Sequence, residues 1–548
     1  MSKRIFLQLF LIVGISVTGF CQSNNFEISK NMEIYTSVYK TLFENYVDEL
    51  NTGELMRTGI DAMLESLDPY TEYKSESEVE DFRFMTTGQY GGIGALILQH
   101  GEDVIISEPY QGTAADKAGL KAGDKIIAID GKNVSDKSSS NVSELMKGEP
   151  GTELAITVER FGENKAITKK IIREKVSIPS VPYYELLDDS IAYINLSGFT
   201  FDASSDFLNA YNSMRKNCEL SGLIIDLRSN GGGLLEQAVK IMNFFVPANE
   251  LIVNTKGRIA SKNSYHKTTV KPIDTLIPIV VLVNGASASA SEILAGAMQD
   301  LDRGVIVGQR TFGKGLVQNI LPIAYNSQMK VTVAKYYIPS GRCIQAIDYS
   351  HKDAYGNWNK VPDSLMTKFY TRNKRTVWDG AGIQPDIEVA PVEYGEVTAN
   401  LIMRHYIFDF ATQYYYNNID KTVDAKTFVV DDTIWNDFVN YLEDKNFTYN
   451  SYIDDQLVAL KKNVSENEHY SSVLDEIDKL ELALKEVKSK DLITYKEAII
   501  YFLGNEIVSR YCYNTGKLIY SLNNDKELEA AVQVINDKNK YNSILAGK

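Results

Sequence analysis

The chain has 548 residues, of which 44% are hydrophobic and 24% charged, a composition typical of folded globular domains rather than of disordered protein. At about 150 residues per domain, this length predicts three or four domains. The formal net charge of −15 argues against a nucleic-acid partner, because phosphate binding needs clustered lysine and arginine.

Residues 1–21 are predicted to be a signal peptide for export. Lys3 and Arg4 precede an almost wholly apolar run, Ile5–Val17, which is shorter than the about 20 residues of a membrane-spanning helix. We predict cleavage after Cys21. Lipidation of Cys21, with membrane association, is the alternative, although the preceding phenylalanine is larger than such sites prefer. No later stretch is long and apolar enough to span a bilayer.

A small helical domain is predicted over residues 26–85. Ile34, Val38 and Leu42 recur at the three-to-four-residue spacing that places side chains on one face of a helix. Pro69 ends this pattern, because proline does not continue a helix.

A change of pattern follows at the glycine-rich residues 91–95. A short helical segment closed by Gly119 leads into the predicted strand Lys125–Ile129 and a turn that ends at Gly131. The run from Ala115 to Gly131 resembles a PDZ domain almost position for position, and we predict such a domain over 86–172.

The PDZ resemblance implies a peptide-binding loop. In that family the equivalent of Gly92, Ile93, Gly94 and Ala95 holds a peptide's terminal carboxylate on backbone N–H groups, and the peptide adds a strand to a sheet edge. A simple glycine turn between two strands is the alternative interpretation.

Residues 173–392 alternate strand-like and helix-like segments, which predicts an α/β core with helices that cover a sheet. The predicted strands are Ile191–Leu196, Leu223–Leu227, Ile279–Val283 and Val305–Val307, and the predicted helices are Ala203–Arg215, Leu234–Phe245 and Glu292–Met298. The segment Gly382–Asp386 is interpreted as the last turn of this core.

Residues 395–548 are predicted to form a helical C-terminal domain. The segment is rich in tyrosine and carries no recognisable chemical motif. Its run of three tyrosines, Tyr414–Tyr416, is interpreted as core or interface and not as a ligand site. Formation of a homodimer, docking of an adaptor and covering of the active site are all open roles for this domain.

A serine-rich segment follows the predicted strand Ile279–Val283. Ser289 and Glu292 have the spacing of a capping box, in which both side chains satisfy backbone donors at the start of a helix. The second interpretation is a nucleophile, because unpaired N–H groups and the helix dipole favour an alkoxide and the oxyanion that it generates. Small alanines on either side of Ser289 leave room for a substrate carbonyl.

A serine nucleophile needs a base, and Lys314 is the candidate. Lysine is a base only when it is neutral, and burial lowers its ordinary pKa of about 10.4 by up to roughly 3–5 units. Lys314 lies between two glycines and near apolar residues, which suits a desolvated position, whereas an exposed loop lysine is the alternative. The five histidines have no recognisable triad context, although sequence alone leaves their spatial proximity open.

A phosphate-binding loop is the competing interpretation of the lysine segment. Gly308–Lys314 comes close to that motif, but Gly315 follows where the motif requires a serine or threonine to ligate magnesium. We therefore set nucleotide binding aside.

Three segments together resemble the carboxyl-terminal processing, or tail-specific, peptidases. They are Asp226–Gly233, Val283–Ile293 and Gln309–Gln318. The resemblance covers about residues 35–390. It implies a multidomain α/β protein in which a crotonase-like α/β peptidase core carries an inserted PDZ domain between helical N-terminal and C-terminal domains. It also implies a serine endopeptidase that cleaves exported, periplasmic proteins near or from their C-termini.

The same resemblance assigns site residues. It implies that Ser289, and not Ser287 or Ser291, is the nucleophile, that Lys314 is the general base, and that Gln318 positions the lysine amine. Supporting roles are implied for three further residues: Asp300, Glu292 and Thr311.

Among these supporting residues, Asp300 is expected to pair with Arg303 and Glu292 to cap its helix. The backbone N–H of Ala290 is the expected first oxyanion donor. Gly232 is the expected second, because glycine lets the backbone approach a carbonyl.

Two other classes of function remain as alternatives. A binding scaffold that has lost catalysis predicts a missing Ser289, Lys314 or Gln318, yet all three are present. A nonproteolytic hydrolase gives no reason for a PDZ domain. Neither a metal nor another cofactor is predicted, and the expected partners are proteins or peptides with free C-termini. The cysteines beyond the signal lack metal or disulfide spacing and are expected to be buried: Cys218, Cys343 and Cys512.

Overall fold

The structure is a computed structural model, and it describes residues 25–547 apart from 80–86, 217, 354–355 and 467. The predicted signal peptide, with Cys21, lies outside the described residues. Within these ranges, no helix combines the length and the apolar character needed to cross a membrane. The described residues form two compact units, which are 25–75 with Ile320–Thr332, and Glu76–Asn319 with 333–547.

The first unit contains two helices and a short strand. These are residues 25–45 (α1), Thr52–Glu65 (α2) and Glu72–Lys74 (β1), which pairs antiparallel with residues 328–330. The Asn51 side chain caps α2 by accepting two backbone N–H groups of its first turn. The helix ends ahead of Pro69, as predicted, and the carboxylate of Asp68 accepts the N–H groups of Tyr70 and Thr71 in the turn that follows.

The second unit begins with a small β-domain where the PDZ domain was predicted. Its elements are β2 (Gln89–Gly92), β3 (Ala95–His100), β4 (Asp103–Pro109), α3 (Ala114–Lys117), β5 (Lys125–Ile129), β6 (Lys132–Asn133), α4 (Ser139–Met146), β7 (Glu153–Glu159), β8 (Ile167–Ile172) and β9 (Glu174–Ser177). Five strands pair in the order β3–β4–β5–β7–β8, so β3 lies at a sheet edge. Alternate apolar side chains of these strands form one core, which includes Ile106, Ile126 and Ile156.

The central part of the chain supplies the α/β core. Its elements are β10 (Tyr183–Leu187), β11 (Ile191–Asn195), α5 (Ala203–Arg215), β12 (Gly222–Asp226), α6 (Leu235–Phe245), β13 (Leu251–Gly257), β14 (Ser264–Lys267), β15 (Ile279–Val283), α7 (Ala290–Asp300), β16 (Val305–Gly308), β17 (Leu316–Pro322), β18 (Gln328–Tyr337), β19 (Ile347–Lys352), β20 (Trp358–Lys360), β21 (Lys368–Tyr370), β22 (Thr376–Trp378) and β23 (Ile387–Glu388). The predicted strands and helices of the core are confirmed.

Six of these strands form the central sheet, in the order β10–β11–β12–β15–β16–β23. β11 through β23 run parallel, and β10 is antiparallel to β11. The turn at Gly382–Asp386 leads directly into β23, so the sheet continues by one strand beyond the predicted last turn. An antiparallel arrangement of β14, β13 and β18 lies outside the predicted strand–helix alternation.

Both faces of the central sheet are buried, because successive side chains of a strand point to opposite faces. On one face Leu223 and Val281 pack with apolar residues of α5, α6 and α7. On the other face Ile224 and Val280 pack against Val534 and further apolar side chains from the end of the chain. The core is therefore a sheet between two helical layers.

The end of the chain is helical, as predicted for residues 395–548. The helices are α8 (Gly395–Met403), α9 (Tyr406–Asn417), α10 (Asp432–Asp444), α11 (Tyr452–Ser465), α12 (Leu474–Lys488), α13 (Asp491–Thr494), α14 (Lys496–Ser521), α15 (Lys526–Asn536) and α16 (Lys538–Leu545). α15 and α16 supply the second helical layer of the core, since Leu528, Ile535 and Tyr541 pack on the central sheet. The domain boundaries stay predictions.

Two of the remaining C-terminal helices, α9 and α14, contact the β-domain. The imidazole Nε2 of His100, at the end of β3, lies 2.9 Å from a carboxylate oxygen of Asp409 on α9. The Tyr513 hydroxyl of α14 donates to Asp116 at 2.7 Å. The ring of Tyr416 lies against Phe161 of the β-domain, which agrees with the prediction that the tyrosine run is core or interface.

The cysteines differ from expectation. Cys218, Cys343 and Cys512 are free thiols that are partly rather than fully buried. The expectation that all of them are buried small side chains is therefore wrong.

The packing of α15 on the sheet yields a stability prediction. In Gly222→Ala the added Cβ would lie 2.4 Å from Cγ2 of Ile535, and overpacking of this kind costs about 1–3 kcal/mol. We expect a lower thermal unfolding midpoint for Gly222→Ala but not for Gly198→Ala, where the new methyl group meets open space.

The clash also predicts non-additivity. Ile535→Ala removes the side chain that clashes, so Gly222→Ala should cost clearly less in that background. Equal costs in both backgrounds would contradict the packing of α15 against β12.

Candidate active site

The carboxyl ends of three parallel strands bring the predicted catalytic segments together. β12 ends at Asp226, β15 at Val283 and β16 at Gly308, and the three strands are neighbours in the sheet. Because parallel neighbours end at the same edge, the turns that follow them converge there, as ligand-binding turns do in α/β sheets. These turns carry the glycine run, Ser289 and Lys314.

Ser289 stands at the start of α7 in an unusual backbone conformation. Its φ is 57° and its ψ −114°. Residues other than glycine rarely adopt this backbone conformation, which costs them about 1–3 kcal/mol. Its N–H donates to Oε2 of Glu292 at 2.9 Å, which is one half of the predicted capping box. The helix thus begins where the sequence predicted, with Ser289 at its N-cap.

The two neighbouring serines have structural roles. The Ser287 hydroxyl donates to the carbonyl of Leu227 at 2.8 Å, and the Ser291 hydroxyl donates to the carbonyl of Asn230 at 2.9 Å. Both serines are fully buried, whereas Ser289 is half-buried. Ser287 and Ser291 therefore join α7 to the turn after β12, and Ser289 is the serine of the three that approaches the surface.

The carboxylate of Glu292 joins the serine segment to the lysine segment. Among the described residues, Oε1 accepts the Thr311 hydroxyl at 2.6 Å and the Gly313 N–H at 2.7 Å. Oε2 accepts the N–H groups of Ser289 and Lys314, each at 2.9 Å. Burial raises the pKa of Glu292 to about 7, against the lowering effect of these donors.

The lysine segment is fixed by its backbone. The Tyr336 hydroxyl donates to the carbonyl of Lys314 and, at 3.1 Å, to the carbonyl of Ser289. The Gly313 carbonyl accepts the N–H of Ala346 at 2.9 Å. The Lys314 and Ser289 backbones are thus held twice, through Glu292 and through Tyr336. The side chains of Lys314 and Gln318 are half-buried.

Gly232 lies against the nucleophile. A Cβ at this position would be 2.8 Å from Cβ of Ser289 and 2.9 Å from the nitrogen of Ala290. Only glycine keeps the space beside the Ala290 N–H open for a carbonyl oxygen. The N–H of Gly232 itself donates to Oδ1 of Asn230 at 2.9 Å, so this amide is already directed at a side chain.

Of the residues expected to support the site, Thr311 contacts the active-site segments, whereas Asp300 lies in a separate ion pair. Thr311 donates to Glu292 and accepts the Ile383 N–H at 2.7 Å, so it fixes the lysine segment. Asp300 pairs with Arg342 at 2.8 Å in a fully buried contact. Arg303 donates instead to backbone carbonyls, including that of Phe245 at 2.8 Å. The expected Asp300–Arg303 pair is therefore wrong, since Asp300 anchors the segment that follows β18.

The predicted peptide-binding loop connects β2 to β3. The carbonyl of Ile93 accepts the N–H of Ala115, and that of Gly94 accepts the Thr113 hydroxyl at 2.8 Å. Because a peptide unit is planar and trans, the N–H groups of Gly94 and Ala95 point away from these partners. Beyond the loop, the edge strand β3 leaves Leu96 exposed.

Sequence reasoning missed two positioning residues. Asn230 lies in the segment Asp226–Gly233, which the sequence analysis singled out for its glycines. An asparagine in such a turn has no pattern of its own that would predict a role in the site. Tyr336 lies on β18, and nothing in its local pattern connects it to Ser289. Only the folded sheet brings the Tyr336 hydroxyl to both carbonyls.

The raised pKa of Glu292 predicts a pH dependence of stability. The folded value of about 7 exceeds the ordinary 4.5. Its contribution to stability is therefore fully present below pH 4.5 and is lost as the pH rises through 7. At 1.36 kcal/mol per pH unit this amounts to about 3 kcal/mol. Glu292→Gln lacks the titration, so the stability advantage of wild type over the variant should shrink by that amount between pH 4.5 and pH 8.

The measurement is urea unfolding across this pH range. Glu236→Gln is the matched control, because it removes an exposed glutamate from the first turn of α6. A wild-type advantage over Glu292→Gln that stays constant with pH would contradict the assignment.

Family models match three parts of the chain. "Peptidase family S41" matches residues 190–350, "PDZ domain" residues 105–160, and "Probable PDZ-protease, C-terminal helical domain" residues 397–535. The matches confirm the predicted PDZ domain and identify the helical end of the chain as a domain type that occurs with such proteases.

Curated relatives point the same way. The chain is 35% identical over 347 residues to a carboxy-terminal-processing protease of Bartonella bacilliformis, across 63% of this chain and 79% of the relative. It is 31% identical over 337 residues to a Staphylococcus aureus protein named "Probable CtpA-like serine protease", across 61% of this chain and 66% of that protein. Among solved structures, the photosystem II D1 C-terminal processing protease is 27% identical, covers 66% of this chain and 93% of its own, and has a TM-score of 0.36.

Proposed function

Because this chain belongs to the carboxy-terminal-processing proteases of peptidase family S41, we propose that it is a serine endopeptidase that cleaves exported proteins near or from their C-termini with a Ser289–Lys314 dyad. The observation that carries the proposal is the double link between the two segments. Glu292 accepts an N–H group from both residues, and Tyr336 donates to the carbonyls of both.

Ser289 is assigned as the nucleophile because the hydrogen bonds of the two neighbouring serines and its own position at a helix N-terminus set it apart. The hydroxyl groups of Ser287 and Ser291 donate hydrogen bonds to backbone carbonyls. Ser289 stands at the N-terminus of α7, beside the Ala290 N–H and the space that Gly232 keeps open. A helix N-terminus favours negative charge, which an attacking alkoxide and an oxyanion both carry.

The proposed reaction has two stages. Neutral Lys314, positioned by Gln318, accepts the Ser289 proton while the serine oxygen attacks a peptide carbonyl, and the new oxyanion receives hydrogen bonds at Ala290 and Gly232. Lys314 then returns the proton to the leaving amine, which departs and leaves an acyl-enzyme. In the second stage Lys314 takes a proton from water while the water oxygen attacks the acyl carbonyl. The bond to the Ser289 oxygen then breaks, this oxygen takes the proton back from Lys314, and the new C-terminus is released.

The Gly232 amide must change partner in this scheme. It now donates to Asn230 at 2.9 Å, so binding of a substrate carbonyl requires it to turn or to share its hydrogen. Such rearrangement is common at active sites whose hydrogen bonds tighten only with substrate bound.

The proposal includes the surroundings of the site. A parallel sheet between helical layers supports a crotonase-like core, and the helices of the first unit support a helical N-terminal domain. Export to the periplasm rests on residues 1–21. A homodimer or a docked adaptor at the C-terminal helices is also retained as a proposal.

We expect Ser289→Ala and Lys314→Ala to lower the rate of degradation of an unfolded protein with an apolar C-terminal tail by at least about 1,000-fold, because each removes a member of a unit that acts together. Ser287→Ala and Ser291→Ala each remove a buried hydrogen bond to the turn after β12 but keep the nucleophile, so they should lose about 100-fold at most. Lys335→Ala, at an exposed position of β18, should lose less than about 10-fold.

Gel-based degradation assays with all five variants test this assignment. Full activity of Ser289→Ala would refute the assignment of Ser289 as the nucleophile. An inactive wild type would favour the alternative of a non-catalytic scaffold.

The β-domain is proposed to bind the substrate tail. The peptide would pair with the edge strand β3, and its carboxylate would meet the N–H groups of Gly94 and Ala95. In the Ser289→Ala protein, a fluorescent peptide with an apolar free C-terminus should bind at least about 10-fold more tightly than its C-terminally amidated form. Fluorescence anisotropy measures both, and equal affinities would contradict carboxylate recognition by this loop.

A further inference from the structure

A buried charged cluster connects the site to the end of the chain. Arg228, which follows β12, is 17% exposed and lies among three carboxylates. Its Nη2 is 2.6 Å from Oδ2 of Asp226 and 2.7 Å from Oδ2 of Asp525, and its Nη1 donates to Glu527. Asp226 and Asp525 are each less than a tenth exposed. The proposed reaction gives this cluster no role.

Glu527 makes the second connection in this cluster. Its Oε2 accepts the Arg228 guanidinium, and its Oε1 accepts the side-chain amide of Gln309. The same amide nitrogen of Gln309 donates to the carbonyl of Val389 at 3.1 Å. One carboxylate thus bridges the turn after β12 and the turn after β16.

Each bridged residue leads to one half of the active site. Arg228 lies in the turn that continues through Asn230 to Gly232, beside Ser289. Gln309 begins the segment in which Thr311 donates to Glu292 and in which Lys314 stands. A shift of Glu527 would therefore move the turn that contains Gly232 relative to the segment that contains Lys314.

Glu527 is itself held firmly. Asp525 caps α15 by accepting the N–H groups of Glu527 and Leu528, each at 3.0 Å. The helix packs on the central sheet through Leu528 and Val534, both buried. The carboxylate is thus presented from a rigid layer, as precise positioning requires.

We propose that Glu527 is a positioning residue of the peptidase reaction, a clamp that sets the distance between the Gly232 turn and the Lys314 segment through Arg228 and Gln309. This inference rests on the proposed function. It also gives the C-terminal end of the chain a part in catalysis, in addition to its part in packing.

The test compares Glu527→Gln with Glu529→Gln, which removes the same charge from an exposed position on the same helix. We expect Glu527→Gln to lower kcat about 10-fold to 100-fold with KM unchanged, because the clamp acts on the reacting geometry and not on tail binding. Hydrogen exchange should become at least about 10-fold faster in residues 228–234 and 309–315. The control should change neither quantity.

Each outcome is decisive. Unchanged exchange in both segments would overturn the clamp, and faster exchange with an unchanged kcat would overturn its role in catalysis. A wild type that cleaves no substrate would refute the proposed function, and the exchange measurement would then decide the clamp alone.

Discussion

A single buried carboxylate holds the candidate active site in place. Glu292 is fully buried, and a charge taken out of water is tolerated only where donors replace the lost hydration. It receives backbone N–H groups from the serine and lysine segments as well as the Thr311 hydroxyl. These segments follow different strands, β15 and β16, so the carboxylate joins two separate turns into one structure. The strained φ of Ser289 persists because this network fixes the residue on both sides.

The sheet supplies the frame on which this carboxylate acts. Parallel strands place their carboxyl ends together, and burial of both faces makes the frame rigid. The helices α15 and α16, from the end of the chain, form one of the two covering layers. The sheet that carries the candidate site therefore packs together residues that lie far apart in sequence, from Leu223 to Tyr541. The C-terminal helices also contact the β-domain at His100 and Asp116, so the helical end of the chain adjoins both the central sheet and the β-domain.

Local pattern was sufficient to predict much of this arrangement. The core strands and helices follow from apolar periodicity and from turn residues, and the N-cap position of Ser289 follows from the serine–glutamate spacing. The sequence could not predict partners that only the folded chain brings together. Tyr336 is one example, and the pairing of Asp300 with Arg342 in place of Arg303 is another. The packing of α15 on the sheet could not be predicted either, because the apolar face of a helix does not reveal which surface it packs against.

The proposed reaction requires Ser289 to form a covalent bond to the substrate during cleavage. Its most direct test is to mix the protein with a peptide ester whose acyl group has a known mass, to quench with acid during the first turnover, and to map the adduct by mass spectrometry. The acyl mass is expected on the peptide that contains Ser289, and no such adduct is expected in the Ser289→Ala protein. An adduct on another side chain, or release of the alcohol without any adduct, would contradict this role of Ser289.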